Sequence, residues 1–198
     1  MNRFFPLTRK IRFILIVVVV IFGLAAITSL LLKRNIPDDS PPLTQTFNAS
    51  PTGFTFRYPD GWVYEIPITG LMVMGKPETI DGNQPGPTFT IQRNNPVSVY
   101  ASLDEALDQY LRRGPLRPDR QWHKLSGISR STFLQRDALV VDIEGAENKV
   151  SPVMRGHIIA TTANDTFVYI IIFTAPVETW ERDERALRAI LGSLQILE

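Results

Sequence analysis

Asp142 and Glu144 alternate with Val141 and Ile143 in a strand-like run, so their carboxylates fall on one strand face. Two carboxylates so placed can hold calcium or divide acid and base roles in a hydrolase. An exposed strand face also needs polar residues for no further reason, and no loop with calcium-binding spacing is present. Nucleophilic catalysis needs a hydroxyl beside a histidine that a carboxylate orients. The only histidines are His123 and His157. Gly127-Ile128-Ser129-Arg130-Ser131 lacks the last glycine of a nucleophile elbow and sits in a strand pattern rather than at a strand-to-helix turn. His157, inside a strand-like run, reads as a hydrogen-bonded structural residue, and His123, after Trp122 in a basic stretch, as a solvated one. The chain has no cysteine, which excludes disulfides, thiolate metal sites and cysteine nucleophiles. Glycine-rich phosphate loops and H-E-x-x-H are absent. No catalytic residue, metal or cofactor is expected.

The remaining chemistry is cationic. Arg112, Arg113, Arg117, Arg120 and Lys124 crowd a stretch punctuated by Gly114, Pro115 and Pro118. Such a cluster can meet anionic lipid headgroups, polysaccharide or an acidic protein, or it can simply be a solvated loop. Trp62, Trp122 and Trp180 read as packing residues rather than a ligand cage.

These groups must be positioned by strands and two helices. Gly53 to Tyr58 alternates aromatic and polar residues, which puts Phe54, Phe56 and Tyr58 on one strand face. Pro59-Asp60-Gly61 is a turn signal, and strands are predicted over 62–66, 71–74 and 88–92, with an exposed loop over 75–87. Ser102-Leu103-Asp104-Glu105 is a capping box, in which the serine hydroxyl accepts from the Glu105 amide and the glutamate reaches back to the Ser102 amide. The helix it starts carries Leu103, Ala106, Leu107, Tyr110 and Leu111 on one stripe and ends by Gly114-Pro115. Residues 125–133 and 138–144 read as a hairpin turning around Gln135 to Asp137. A second hairpin joins 153–162 to 166–174 through Ala163-Asn164-Asp165. Its arm Phe167 to Phe173 is apolar on both faces and should lie centrally, covered on both sides. The last helix, from about Glu178 to Leu191, buries Trp180, Leu187, Ile190 and Leu191. Its outer face offers the acid-before-base pairs Glu178 with Arg182, Glu181 with Arg185 and Glu184 with Arg188. Residues 194–197 suggest a closing edge strand.

Phe13 to Leu32 carries no charge over twenty positions. As a helix it would rise about 30 Å, enough to cross a bilayer once. The run is too long for a signal-peptide core and lacks a small-x-small cleavage site, so it reads as a retained anchor. Arg3, Arg9, Lys10 and Arg12 precede it, against Lys33 and Arg34 after it, which places the N-terminus in the cytoplasm and the remainder outside. The organisation expected is a basic tail over 1–12, a transmembrane anchor over 13–32, a proline-rich linker over 33–51 and an extracytoplasmic domain over 52–198. Six of the 21 basic residues and none of the 20 acids lie at or before Arg34, which leaves 15 against 20 and a charge of −5 beyond it. That balance speaks against nucleic acid as a partner. An exported domain without disulfides suits a bacterial envelope.

Gly53-Phe54-x-Phe56-x-Tyr58-Pro59-Asp60-Gly61-Trp62, the capped helix, the hairpins, and Ala175-Pro176 leading into a Trp180 helix together resemble the PsbP-like family over residues 47–197. The resemblance implies an α+β fold, a central antiparallel sheet sandwiched between helices. The best-known member of that family is an extrinsic subunit of the photosynthetic oxygen-evolving complex, and many relatives are exported proteins of unassigned function. The photosynthetic members are soluble lumenal proteins, so a retained anchor argues against a photosystem role here, and the resemblance transfers no catalytic residue. The function expected is a membrane-tethered, extracytoplasmic, non-catalytic binding or assembly module. Its partners would be the membrane and an envelope protein or anionic surface. The rivals are an envelope hydrolase using Asp142 and Glu144 and a small-ligand or ion carrier with a closed apolar pocket.

Overall fold

The computed structural model describes residues 40–49, 53–163 and 166–196. The expected anchor, the first part of the expected linker and the turn residues Asn164 and Asp165 lie outside them. Among the described residues no helix is long and apolar enough to cross a membrane. In chain order the elements are β1 (Leu43–Ala49), β2 (Phe54–Pro59), β3 (Val63–Ile68), β4 (Leu71–Gly75), α1 (Pro77–Ile80), β5 (Thr88–Pro96), α2 (Leu103–Arg113), β6 (His123–Lys124), β7 (Ser129–Phe133), β8 (Arg136–Gly145), β9 (Met154–Ala163), β10 (Phe167–Pro176), α3 (Trp180–Gly192) and β11 (Gln195–Ile196).

An eight-stranded antiparallel sheet runs β3-β4-β5-β10-β9-β8-β6, with β7 also paired to β8. The apolar arm β10 lies between β5 and β9, as its two-faced composition requires. Val168 and Ile170 enter one core with Leu107 and Leu111 of α2. Tyr169, Ile171 and Phe173 enter the other with Trp180, Leu187 and Ile190 of α3. Helices therefore pack on both faces, as the sandwich reading anticipates.

One correction concerns the second sheet. Leu43–Ala49, placed in the linker on sequence, is a strand: β1 pairs with β2, and β11 flanks β2 on its other side to make a three-stranded sheet. The prolines around it bar a helix but not an edge strand. Its composition, LTQTFNA, looks like spacer because Phe47 is the one fully buried residue among its described side chains. The Phe47 ring stacks on Phe56 at 4.8 Å. The folded unit begins at Ser40.

Local chemistry accounts for three further departures. The 75–87 stretch is not all loop, since Pro77 at the first helical position nucleates α1, with the amides of Thr79 and Ile80 both bonded to Lys76 O at 2.9 and 3.0 Å. At α2 the Ser102 hydroxyl accepts from the Glu105 amide at 3.1 Å, but the Glu105 carboxylate takes the Ala101 amide at 2.7 Å in place of that of Ser102. On α3 the Glu184–Arg188 pair forms at 2.5 Å, whereas Arg182 turns to its neighbour Asp183 at 2.9 Å.

The β7–β8 turn sits one residue earlier than expected, with Leu134 and Gln135 both left-handed at φ 50° and 63°. Such a turn twists with the strands but favours Asn-Gly, and Leu134 holds it here by packing against the α3-side core. Gln135→Gly should relieve the strain and stabilise the fold by about 0.5–1 kcal/mol, read as a higher urea midpoint at unchanged slope.

Candidate binding site

The β8–β9 register sets Asp142 opposite His157 and Glu144 opposite Arg155. His157 Nδ1 lies 2.6 Å from Asp142 Oδ1, and its ring stacks on Phe173 at 4.8 Å. Arg155 directs Nε and Nη2 at Glu144 Oε2, 3.1 and 2.8 Å away, with its guanidinium over Trp180 at 5.8 Å. Each carboxylate of the candidate pair is therefore engaged by its own cross-strand base. Among the described residues no hydroxyl hydrogen-bonds His157; Ser126 Oγ accepts instead from the Asp142 amide at 3.1 Å. No group of three or more His, Asp or Glu side chains there is placed to hold a metal. The cluster ties β8 to β9 at the edge of the α3-side core, with His157 hydrogen-bonded to Asp142 and stacked on Phe173 within it.

The five cations are divided in the same way. Arg112 pairs with Asp108 at 2.9 Å, Arg117 grips Asp119 through two bonds of 2.9 and 2.6 Å, and Arg120 meets Glu147 at 3.2 Å. The hydrogen bond from Arg117 holds the Asp119 carboxyl below the usual range. Arg113 and Lys124 make no ion pair among the described residues. Lys124 is exposed on the short edge strand β6, opposite Ile143. Arg113, the last residue of α2, opens into a cleft.

That cleft, of about 340 Å³, lies between α2 and the sheet and is lined by Gln92 and Asn94 of β5, Tyr100 of the connecting turn, and Gln109, Tyr110 and Arg113 of α2. Gln92 and Asn94 share a strand face two residues apart, and Gln109 and Arg113 share a helix face four apart. Burial pushes the Tyr110 hydroxyl up to about 12, partly offset by the charge of Arg120, so it is a neutral hydrogen-bonding group near pH 7. The lining contains no carboxylate and no histidine, and Asp142 and Glu144 are not part of it. A wider groove of about 600 Å³ beside Trp180 includes Arg155 and Arg182, both already held in ion pairs.

Of the expected patch, the cleft takes only Arg113. Sequence reasoning misses Gln92, Asn94, Tyr100 and Gln109, because they are uncharged and come from three segments. The one signal is the polar face of β5 opposite the apolar Phe89 and Ile91.

No protein-family model and no curated protein matches the sequence. Solved structures share its fold. The cyanobacterial PsbP protein of Synechocystis superposes with a TM-score of 0.55 at 10% identity, over 77% of this chain and 91% of that one. The Ran-binding protein Mog1p of Saccharomyces cerevisiae gives 0.52 at 14% identity, over 79% and 97%. The chain has the PsbP-like fold.

Proposed function

We propose that a protein with this fold and this cleft is a non-catalytic binding or assembly module, tethered to the cell membrane by Phe13 to Leu32. The folded unit would stand outside the cytoplasm. The flanking charges support that orientation, and Mog1p, a Ran-binding protein of the same fold, supports a recognition role. One observation carries the reading. Asp142 orients His157, but no hydroxyl among the described residues hydrogen-bonds that ring, and Glu144 is held by Arg155, while Arg113 stands without an acid in a cleft of neutral hydrogen-bonding groups. Such a lining, with no carboxylate and no histidine, suits recognition and orientation. The full chain in detergent micelles should co-sediment with cell-envelope fragments. Arg113→Glu should weaken this at least about tenfold, the worth of a lost charge-assisted hydrogen bond. Asp142→Asn with Glu144→Gln should leave it unchanged. Retention that ignores Arg113→Glu would overturn the reading.

A further inference from the structure

The unspent hydrogen-bonding capacity of the cleft specifies what it can take. Asn94 Oδ1 already accepts from the Asn95 amide at 3.0 Å, which leaves its NH₂ as a donor. Tyr100 accepts from Asn95 Nδ2 at 3.3 Å, which leaves its hydroxyl proton. Gln109 Nε2 donates to Glu105 Oε1 at 3.2 Å, which leaves its carbonyl as an acceptor. Gln92 offers both kinds of group, and the exposed Arg113 offers a planar fork of donors suited to a carboxylate.

Donors predominate, so a ligand rich in acceptors fits best, and the Gln109 carbonyl adds a place for a donor. A carboxylate alone has none, whereas a sugar ring bearing a carboxylate has hydroxyls that donate and accept together. A phosphate suits the cleft less. At the C-terminal end of α2 the carbonyl dipoles disfavour each negative charge, and Arg113 is the one cation of the lining, enough to offset the single charge of a carboxylate but not the higher charge of a phosphate. The volume lies at the small end of ligand pockets, fit for one or two sugar rings.

We propose that the cleft binds a carboxylated sugar residue of an acidic glycan, with Arg113 on the carboxylate and the Asn94, Gln109 and Tyr100 groups on the ring hydroxyls. This rests on the reading above that the cleft is the binding site, and it adds the class of ligand.

Calorimetric titration of the full chain with trimers of galacturonate and of mannuronate tests it, with maltotriose, triglutamate and inorganic phosphate as comparisons. At least one uronate trimer should bind, at least about tenfold tighter than each comparison, and Arg113→Gln should remove about that factor. Gln109→Ala should weaken the uronate several-fold, and unchanged unfolding curves of both variants should exclude misfolding. Binding of neither uronate, equal binding of triglutamate or phosphate, or indifference to Arg113→Gln would overturn the proposal. If the uronates fail while Arg113→Glu still abolishes envelope retention, the ligand class is wrong and the binding site stands. If neither measurement responds to Arg113, both fall.

Discussion

Phe47→Ala should cost the folded unit about 3–5 kcal/mol, a large part of the 5–15 kcal/mol typical of a whole domain. The ring is 1% exposed. It stacks on Phe56 at 4.8 Å with planes 21° apart and meets Tyr64 of β3 edge-on at 4.9 Å. Phe56 continues the chain of rings to Phe89 of β5 at 5.4 Å. Phe47 thus joins the three-stranded sheet to the edge of the large one. Urea unfolding of wild type and variant should show the loss as a lower midpoint. If residues 43–49 were only spacer, the same substitution would change stability by no more than about 0.5 kcal/mol.

Gly145→Ala should be nearly as damaging, at about 3 kcal/mol, the upper end of what overpacking usually costs. At the end of β8 the missing side chain makes room for another stretch of backbone. A Cβ there would collide with the carbonyl oxygen of Gln121 and with Cα of Trp122, neither of which can rotate aside. The close approach seats Trp122 against the α2-side core although its indole Nε1 is buried without a partner among the described residues, and it sets the Gln121 amide on Ala146 O at 3.1 Å. The variant should also speed hydrogen exchange at Gln121 and at Leu125, whose amide bonds to Asp142 O at 2.9 Å. Wild-type stability with unchanged exchange at both amides would refute this view of the 121–125 segment.

What the sequence made legible was local. The alternation of Phe54, Phe56 and Tyr58, the two apolar faces of β10 and the Ser102 cap each depend on neighbours a few residues away, and each appears in the structure close to where it was expected. β1 was not legible, because an edge strand with one buried aromatic and a polar outer face has the composition of a linker. The partners of Asp142 and Glu144 were hidden for another reason. Their shared face follows from spacing, but the bases that occupy them are set by the register of β8 against β9. A charge cluster read along the chain likewise overlooks acids such as Glu147, 27 positions beyond Arg120, that neutralise it in space. Only Arg113 connects the cluster to the cleft, and the other lining residues carry no charge to announce them. Phe13 to Leu32, whose composition speaks most plainly, lies outside the described residues.

The measurement that bears most directly on the binding reading sets two variants of the full chain side by side in envelope co-sedimentation. One is Arg113→Glu, at the cleft. The other is Asp142→Asn with Glu144→Gln, at the paired carboxylates. The cleft variant should lose at least about nine-tenths of the apparent affinity and the carboxylate variant none, since only the first removes a group aimed at a ligand. Retention lost with the carboxylates and kept without Arg113 would contradict the account.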